Sequence, residues 1–237
     1  MISDQVFILH TRPFRETSQL VSLFSRRYGR FSAVSRGSRG KGRRGGTSLQ
    51  PFCLLHAEWR GSTELKTLVS AEPLEIHLLQ GDKLYVGLYL NELLSRLVHE
   101  YESCAELFDH YCFMLSILSA EADVEPHLRV FELNLLQDLG YGFAVDIDAT
   151  TGETVDSTYD YVFIVGEGMV PAGRVSNGTA ISGAQLRLIA AGDYSSRETR
   201  VSAKRLTRAA LAPLLGPKPL YSRELFRDAV LSAGAQR

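Results

Sequence analysis

The first 71 residues alternate between short apolar segments and turns, and this pattern constrains the fold more than any other feature of the chain. Residues 52–60 show it most clearly. Leu55 and Trp59 fall on one face of the predicted strand, and Glu58 and Arg60 fall on the other. A side-chain period of two is typical of a β-strand with one buried face. We therefore expect this part of the chain to be a β domain, with Trp59 on its inner side.

Four further segments of the same region have strand character: residues 5–11, 18–25, 31–36 and 64–71. Five strands in about 70 residues, with one long loop, predict a small closed barrel of the oligonucleotide-binding (OB) type. A five-stranded open sheet is the alternative.

The rest of the chain is predicted to be mainly helical, so the fold class is α+β: an N-terminal five-stranded OB-fold barrel followed by a helical region with a small β excursion. Predicted helices cover residues 84–100, 105–120, 125–139, 183–191, 196–215 and 223–231. Residues 159–165 are the one strand-like stretch between 143 and 180. The predicted domains are an OB-fold barrel domain (1–80), a helical domain (81–142) and a C-terminal region (143–237) whose basic helices pack on the helical domain.

Charge is strongly segregated along the chain, although the formal net charge is only −1. Residues 1–70 carry 12 Lys/Arg and 4 Asp/Glu, residues 71–196 carry 5 and 20, and residues 197–237 carry 9 and 3. Two basic ends around an acidic middle indicate that the ends contact a polyanion.

Residues 36–46 contain five cations and five glycines and no side chain that could build a core. Such a segment suits a cationic loop that follows phosphates, and a solvated hairpin connection is the alternative. The candidate DNA-binding residues are this loop's cations and others of the predicted barrel: Arg12, Arg15, Arg27, Arg30, Arg36, Arg39, Lys41, Arg43, Arg44 and Lys66.

Enzyme and metal signatures are missing from the sequence. It has no H-E-x-x-H, G-x-S-x-G or P-loop motif, and its six histidines lack ligand spacing. Cys53, Cys104 and Cys112 form no C-x-x-C pair, which favours a reducing cytoplasm. We expect no catalytic residue, no metal, no cofactor and no membrane segment. The rival hypotheses are a metal-dependent nuclease using the carboxylates of 143–160 and a protein-only adaptor.

Eight blocks of the sequence resemble the RecO family of bacterial DNA repair proteins, in family order: residues 6–18, 35–39, 49–52, 65–68, 89–94, 129–133, 139–142 and 222–226. The resemblance implies an OB barrel, a helical middle and a small C-terminal region. It also implies a non-enzymatic recombination mediator of the RecF pathway that binds single- and double-stranded DNA and anneals complementary strands. Such a mediator helps to load recombinase on DNA coated with single-strand DNA-binding protein.

The resemblance further implies RecR and the C-terminal tail of single-strand DNA-binding protein as partners, with RecF and RecA as further candidates, and a nucleoid-associated place in the cytoplasm. For the acidic tail the first candidate is Arg129, and the second candidates are Lys204, Arg205 and Arg208 on the later basic helix. An ion pair of Arg129 with Glu132 or Glu125 is the alternative for that residue.

One stretch departs from the family pattern. Many members carry a four-cysteine zinc site after the Gly-Tyr-Gly block, but residues 143–169 contain no cysteine here. The sequence is therefore similar to the cysteine-free, proteobacterial-type members, and we expect the purified protein to hold no stoichiometric zinc.

Overall fold

Five strands form the N-terminal part of the protein, as the alternating pattern predicts. The structure, a computed structural model, describes residues 1–36 and 49–234. The strands are β1 (Ile2–Phe14), β2 (Ser18–Ser25), β3 (Gly29–Ser35), β4 (Cys53–Arg60) and β5 (Leu65–Ile76). They close into a barrel in the order β1-β2-β3-β5-β4. The prediction of a closed OB-type barrel is confirmed, and the open-sheet alternative is wrong.

The length of β1 explains how five strands can close. β1 pairs with β4 through Ile2–Phe7 and with β2 through Val6–Phe14, with an irregularity between Ile8 and His10. A strand that bends at such an irregularity can belong to both sides of a small barrel. β1 extends beyond the predicted strand 5–11 at both ends.

The barrel is filled by side chains from alternate positions of its strands. The interior cluster contains Val6, Ile8, Val21, Leu23, Phe31, Ala33, Cys53, Leu55, Ala57, Trp59 and Leu68. Trp59 is only 2% exposed, and its ring packs on that of Phe31 at a centroid distance of 4.7 Å. The expected inward orientation of Trp59 is confirmed.

Two helices pack against the outside of the barrel at β1 and β2. They are α1 (Asp82–Leu97) and α2 (Ala105–Ala120). Phe108 and Tyr111 of α2 lie on Phe7 and Phe24, with ring centroids 4.9–6.3 Å apart. The outer face of the barrel is therefore covered at this place and is not available to a ligand there.

A buried polar contact joins the same three elements. Asn91 of α1 donates to the carbonyl of Leu9 in β1 at 3.0 Å and accepts from the hydroxyl of Tyr111 in α2. Because buried amide and hydroxyl groups are costly when unpaired, this arrangement favours one orientation of the two helices on the barrel.

The last helix, α6 (Tyr221–Gly234), packs on α1. The carboxylate of Glu92 accepts from the backbone N–H groups of Tyr221 and Ser222 at 2.9 Å and from the Ser222 hydroxyl at 2.7 Å. The free N–H groups at the start of α6 are satisfied in this way by another helix.

The elements of residues 122–217 form a second compact unit. They are α3 (Glu125–Asp138), β6 (Asp160–Ile164), β7 (Gly168–Pro171), a 3₁₀ turn (Ala172–Arg174), β8 (Ala180–Ser182), α4 (Gly183–Ala190) and α5 (Arg197–Leu215). Its sheet has the order β7-β6-β8. The predicted strand at 159–165 is β6, and its two short partners were not predicted.

The first unit comprises Met1–Glu121 and Lys218–Arg237, so the chain leaves it after α2 and returns to it with α6. The division into 1–80, 81–142 and 143–237 stays a prediction. No helix among the described residues is long and apolar enough to cross a membrane.

Candidate nucleic-acid interface

One row of neighbouring side chains crosses the outer face of the barrel. The strand registers pair Arg12 with Leu20, Leu20 with Val34, Val34 with Thr67, and Thr67 with Arg60. Directly paired residues share a face, so all five side chains belong to one surface. Four steps of about 4.8 Å between strands give the row a length of roughly 19 Å.

The row has a cation at each end and uncharged side chains between them. Arg12 and Arg60 are exposed, and neither forms an ion pair within the described part of the chain. Leu20 and Thr67 are half-buried, and Val34 is 9% exposed. The alternation predicts the outward orientation of Arg60, but this residue is not among the candidates predicted from the sequence.

Two further side chains extend the uncharged floor of this surface along β5. Leu65 and Val69 lie on the same face of β5 as Thr67 and are 40% and 49% exposed. An apolar floor between cations can accommodate bases or sugars while the cations bind phosphates.

The turn between β1 and β2 adds a third exposed cation. Arg15 has a left-handed backbone conformation with φ of 53°, and its guanidinium lies 5.3 Å from the centroid of the Phe14 ring. Arg36 is exposed directly after β3. Because Ser35 pairs with Gln19 in β2, the next residue, Arg36, lies close to this turn. The other predicted loop cations lie outside the described residues: Arg39, Lys41, Arg43 and Arg44.

Two of the predicted DNA-binding arginines make contacts within the protein. Arg27 donates through Nε to Asp4 at 3.0 Å and through Nη2 to the carbonyl of Ser3 at 2.8 Å. Arg30 donates to the carbonyl of Val98 at 3.0 Å and to the carboxylate of Glu100 at 2.9 Å. Arg27 links the turn after β2 to β1, and Arg30 links β3 to the segment after the first helix. Each positive charge is paired with a carboxylate, although the Arg27 side chain stays 62% exposed.

Lys66, another predicted DNA-binding residue, also makes contacts within the protein. It pairs with Ala33, a residue of the barrel interior, so its side chain starts on the inner face of β5. Its ammonium group donates to the carbonyl of Thr63 at 2.7 Å and lies 4.9 Å from the centroid of the Tyr101 ring. Lys66 therefore covers one end of the barrel.

The buried carboxylate of Asp4 accepts several hydrogen bonds from neighbouring residues of the barrel. Burial alone would raise its pKa, but hydrogen bonds from the Ser25 hydroxyl at 2.6 Å and from Arg27 outweigh this effect and hold the pKa below its usual value. Asp4 is thus ionised at neutral pH, and its carboxylate has a structural role as a hydrogen-bond acceptor.

The predicted tail-binding residues are distributed over α3 and α5 of the second unit. Arg129 is only 4% exposed and forms an ion pair with Glu132 at 2.8 Å, which was the alternative for this residue. Its guanidinium also donates to the Thr207 hydroxyl at 3.2 Å. Lys204 lies 3.6 Å from Glu125, and Arg205 and Arg208 are exposed. Arg129 is thus largely buried within the second unit, and its part in binding a tail stays a prediction.

Two of the carboxylates of residues 143–160 stabilise turns. Asp148 accepts from the backbone N–H and the hydroxyl of Thr150 at 2.8 and 2.7 Å, and Asp156 does the same for Thr158. Among the residues that the structure describes, no three His, Cys, Asp or Glu side chains come together as metal ligands would.

The three cysteines are present as free thiols. The term cysteine-free is therefore wrong for this chain as a whole, since Cys53 lies in the barrel core and Cys104 and Cys112 lie beside and within α2. It applies only to residues 143–169.

The fold and the exposed cations define a class of protein: an OB-barrel protein with a cationic outer surface and a helical second part. Comparison with known sequences identifies the family. The family described as Recombination protein O N terminal matches residues 1–77, and Recombination protein O C terminal matches residues 78–224. The chain belongs to the RecO family.

Curated relatives agree with these matches over nearly the whole chain. The chain is 45% identical over 227 residues to DNA repair protein RecO of Pseudomonas aeruginosa (strain UCBPP-PA14), covering 95% of both chains. It is 44% identical over 226 residues to DNA repair protein RecO of Haemophilus influenzae (strain 86-028NP), again covering 95% of both. The same protein of Stutzerimonas stutzeri (strain A1501) is 44% identical over 225 residues, or 94% of this chain and 92% of the relative.

Proposed function

We propose that this protein acts in DNA repair and homologous recombination by binding DNA on the outer face of its barrel. The observation that carries the proposal is the row from Arg12 to Arg60, which has an uncharged floor and at each end a cation that forms no ion pair with the residues the structure describes. Membership of the RecO family, whose curated relatives are called DNA repair proteins, supports it.

The proposed activity is the annealing of complementary strands without catalysis. Two strands repel each other through their phosphates, and cations that neutralise these phosphates lower the barrier and release counterions. Arg12, Arg15 and Arg60 would hold one strand, and the exposed Arg197 and Arg205 of α5 provide a second basic surface. Such a process needs neither a metal ion nor a nucleotide, and it accommodates single- and double-stranded DNA.

The proposed biological role is to help load recombinase on DNA coated with single-strand DNA-binding protein, together with RecR. The acidic C-terminal tail of the single-strand DNA-binding protein is a proposed ligand. Among the predicted tail-binding cations, the exposed Arg205 and Arg208 support such a contact, whereas the buried Arg129 does not. RecF and RecA remain proposed partners.

Annealing of two fluorescently labelled complementary oligonucleotides in EDTA, without nucleotide, tests the proposal. The wild-type protein should accelerate annealing, and the Arg12→Glu/Arg60→Glu variant should lose most of this effect. The Arg174→Glu/Arg187→Glu variant changes the charge equally at exposed sites of the second unit and is the matched control.

The control variant should anneal like the wild type. Annealing that requires Mg²⁺, cleavage of either strand, or equal loss in the two variants would contradict the proposal.

A further inference from the structure

A surface cavity of about 360 Å³ lies in the second unit and is not part of the proposed DNA surface. Its walls come from the segment after α3, from the turn between β6 and β7, and from the end of α5. The side chains that matter here are Tyr141, Phe143, Phe163, Val165, Glu167 and Leu214. Its volume is at the lower end of the range for ligand pockets, roughly 300–1,000 Å³.

The cavity is mainly apolar and partly open to solvent. Phe143 and Phe163 pack together at its base with ring centroids 4.4 Å apart. Tyr141 and Val165 at its rim are 55% and 58% exposed. Large apolar side chains that stay exposed around a concavity are typical of a surface that binds a partner's apolar anchor.

The charge around the cavity is negative. Glu167 is exposed at the rim, and none of the described residues that line the cavity is a lysine or an arginine. The segments that line the cavity, residues 140–149 and 163–168, contain three Asp/Glu and no Lys/Arg. An acidic peptide would be repelled at this place, and a cationic one would be attracted.

We propose that this cavity binds a cationic segment of a partner protein, whose apolar side chain inserts between Tyr141 and Val165. A lysine or arginine beside this anchor pairs with Glu167. The site is distinct in its chemistry from a receptor for an acidic tail, which needs cations at its rim. It contains none of the cations that the proposed function assigns to DNA, on the barrel or on α5.

Fluorescence anisotropy with two labelled peptides tests this inference. In one peptide, lysines flank a central Leu-Phe pair; in the other, glutamates replace the lysines. The full-length protein should bind the basic peptide at least about tenfold more tightly than the acidic one.

Two pairs of variants separate a built site from general charge attraction. Glu167→Lys should weaken binding of the basic peptide about tenfold, whereas Glu153→Lys, the same change at an exposed position outside the cavity, should leave it within about twofold. Tyr141→Ala should weaken it about fivefold, whereas Tyr159→Ala, at a tyrosine that is 63% exposed outside the cavity, should not. All four variants should keep the wild-type circular dichroism spectrum and DNA affinity.

Equal losses within each pair of variants would overturn the inference, because they indicate non-specific attraction. It would also be overturned if the acidic peptide bound and Tyr141→Ala removed this binding. Self-association of the protein that Tyr141→Ala abolishes would assign the cavity to a second copy and equally contradict it.

Discussion

Two groups of arginines on the same barrel have different environments, and the comparison separates structural from ligand-binding charge. Arg27 and Arg30 each donate to a carboxylate and to a backbone carbonyl of the protein. Arg12 and Arg60 are exposed and make no ion pair within the described residues. The number of Lys and Arg residues in a sequence therefore overestimates the positive charge that is available to DNA, because carboxylates of the protein already compensate part of this charge.

The largest effect on stability is expected in the second unit, where a paired and an exposed arginine can be compared in the same way. Arg129→Ala leaves the carboxylate of Glu132 buried without its cation and should lower the free energy of unfolding by about 3–5 kcal/mol. Arg205→Ala removes an exposed arginine of the neighbouring helix and should change it by less than about 0.5 kcal/mol. Urea unfolding followed by circular dichroism measures both. Similar values for the two variants would mean that Arg129 is not a structural residue.

A smaller effect is expected at Asp4, the partner of Arg27. Asp4→Asn should lower the free energy of unfolding at pH 7 by about 1–3 kcal/mol, because hydrogen bonds to a charged acceptor are weakened.

The contribution of Asp4 should also depend on pH. Its folded pKa lies below the ordinary value of 3.8, so the stabilisation is complete above that value and is lost as the pH falls through the folded pKa. The difference between wild type and Asp4→Asn should accordingly be constant near neutral pH and shrink in acid. A difference that grows on acidification would contradict this account.

The smallest effect on stability is expected at Glu92, which accepts hydrogen bonds from the first residues of α6. Glu92→Gln should lower the free energy of unfolding by about 1 kcal/mol, which is the usual contribution of a helix cap. Glu106→Gln, at an exposed glutamate in the first turn of α2, is the matched control and should have almost no effect. Thermal unfolding distinguishes them, and equal melting temperatures would show that Glu92 does not anchor α6.

Local patterns predict much of the fold, because they depend on neighbouring residues. The period-two pattern places Trp59 inside the barrel and Arg60 outside, and the helix predicted at 105–120 coincides with α2. The short strands β7 and β8 were missed because three or four residues are too few for a periodic signal.

The candidate site is predicted less well, for a different reason. Whether an arginine is free depends on residues far away in the sequence. Arg30 meets Glu100, and Arg26 meets Asp109. No local pattern reports these pairs, so Arg27 and Arg30 were included among the candidates. Arg60 was omitted although the period-two pattern places its side chain outside the barrel.

The salt dependence of single-stranded DNA binding tests the central claim most directly. Each lost phosphate contact should reduce the slope of log K against log salt by about 0.7, so Arg12→Ala/Arg60→Ala should reduce it by about 1.4. Arg27→Ala/Arg30→Ala, measured at a temperature at which it is folded, should keep the wild-type slope because these charges are already compensated. An unchanged slope in the first variant, or an equal reduction in the second, would contradict the account.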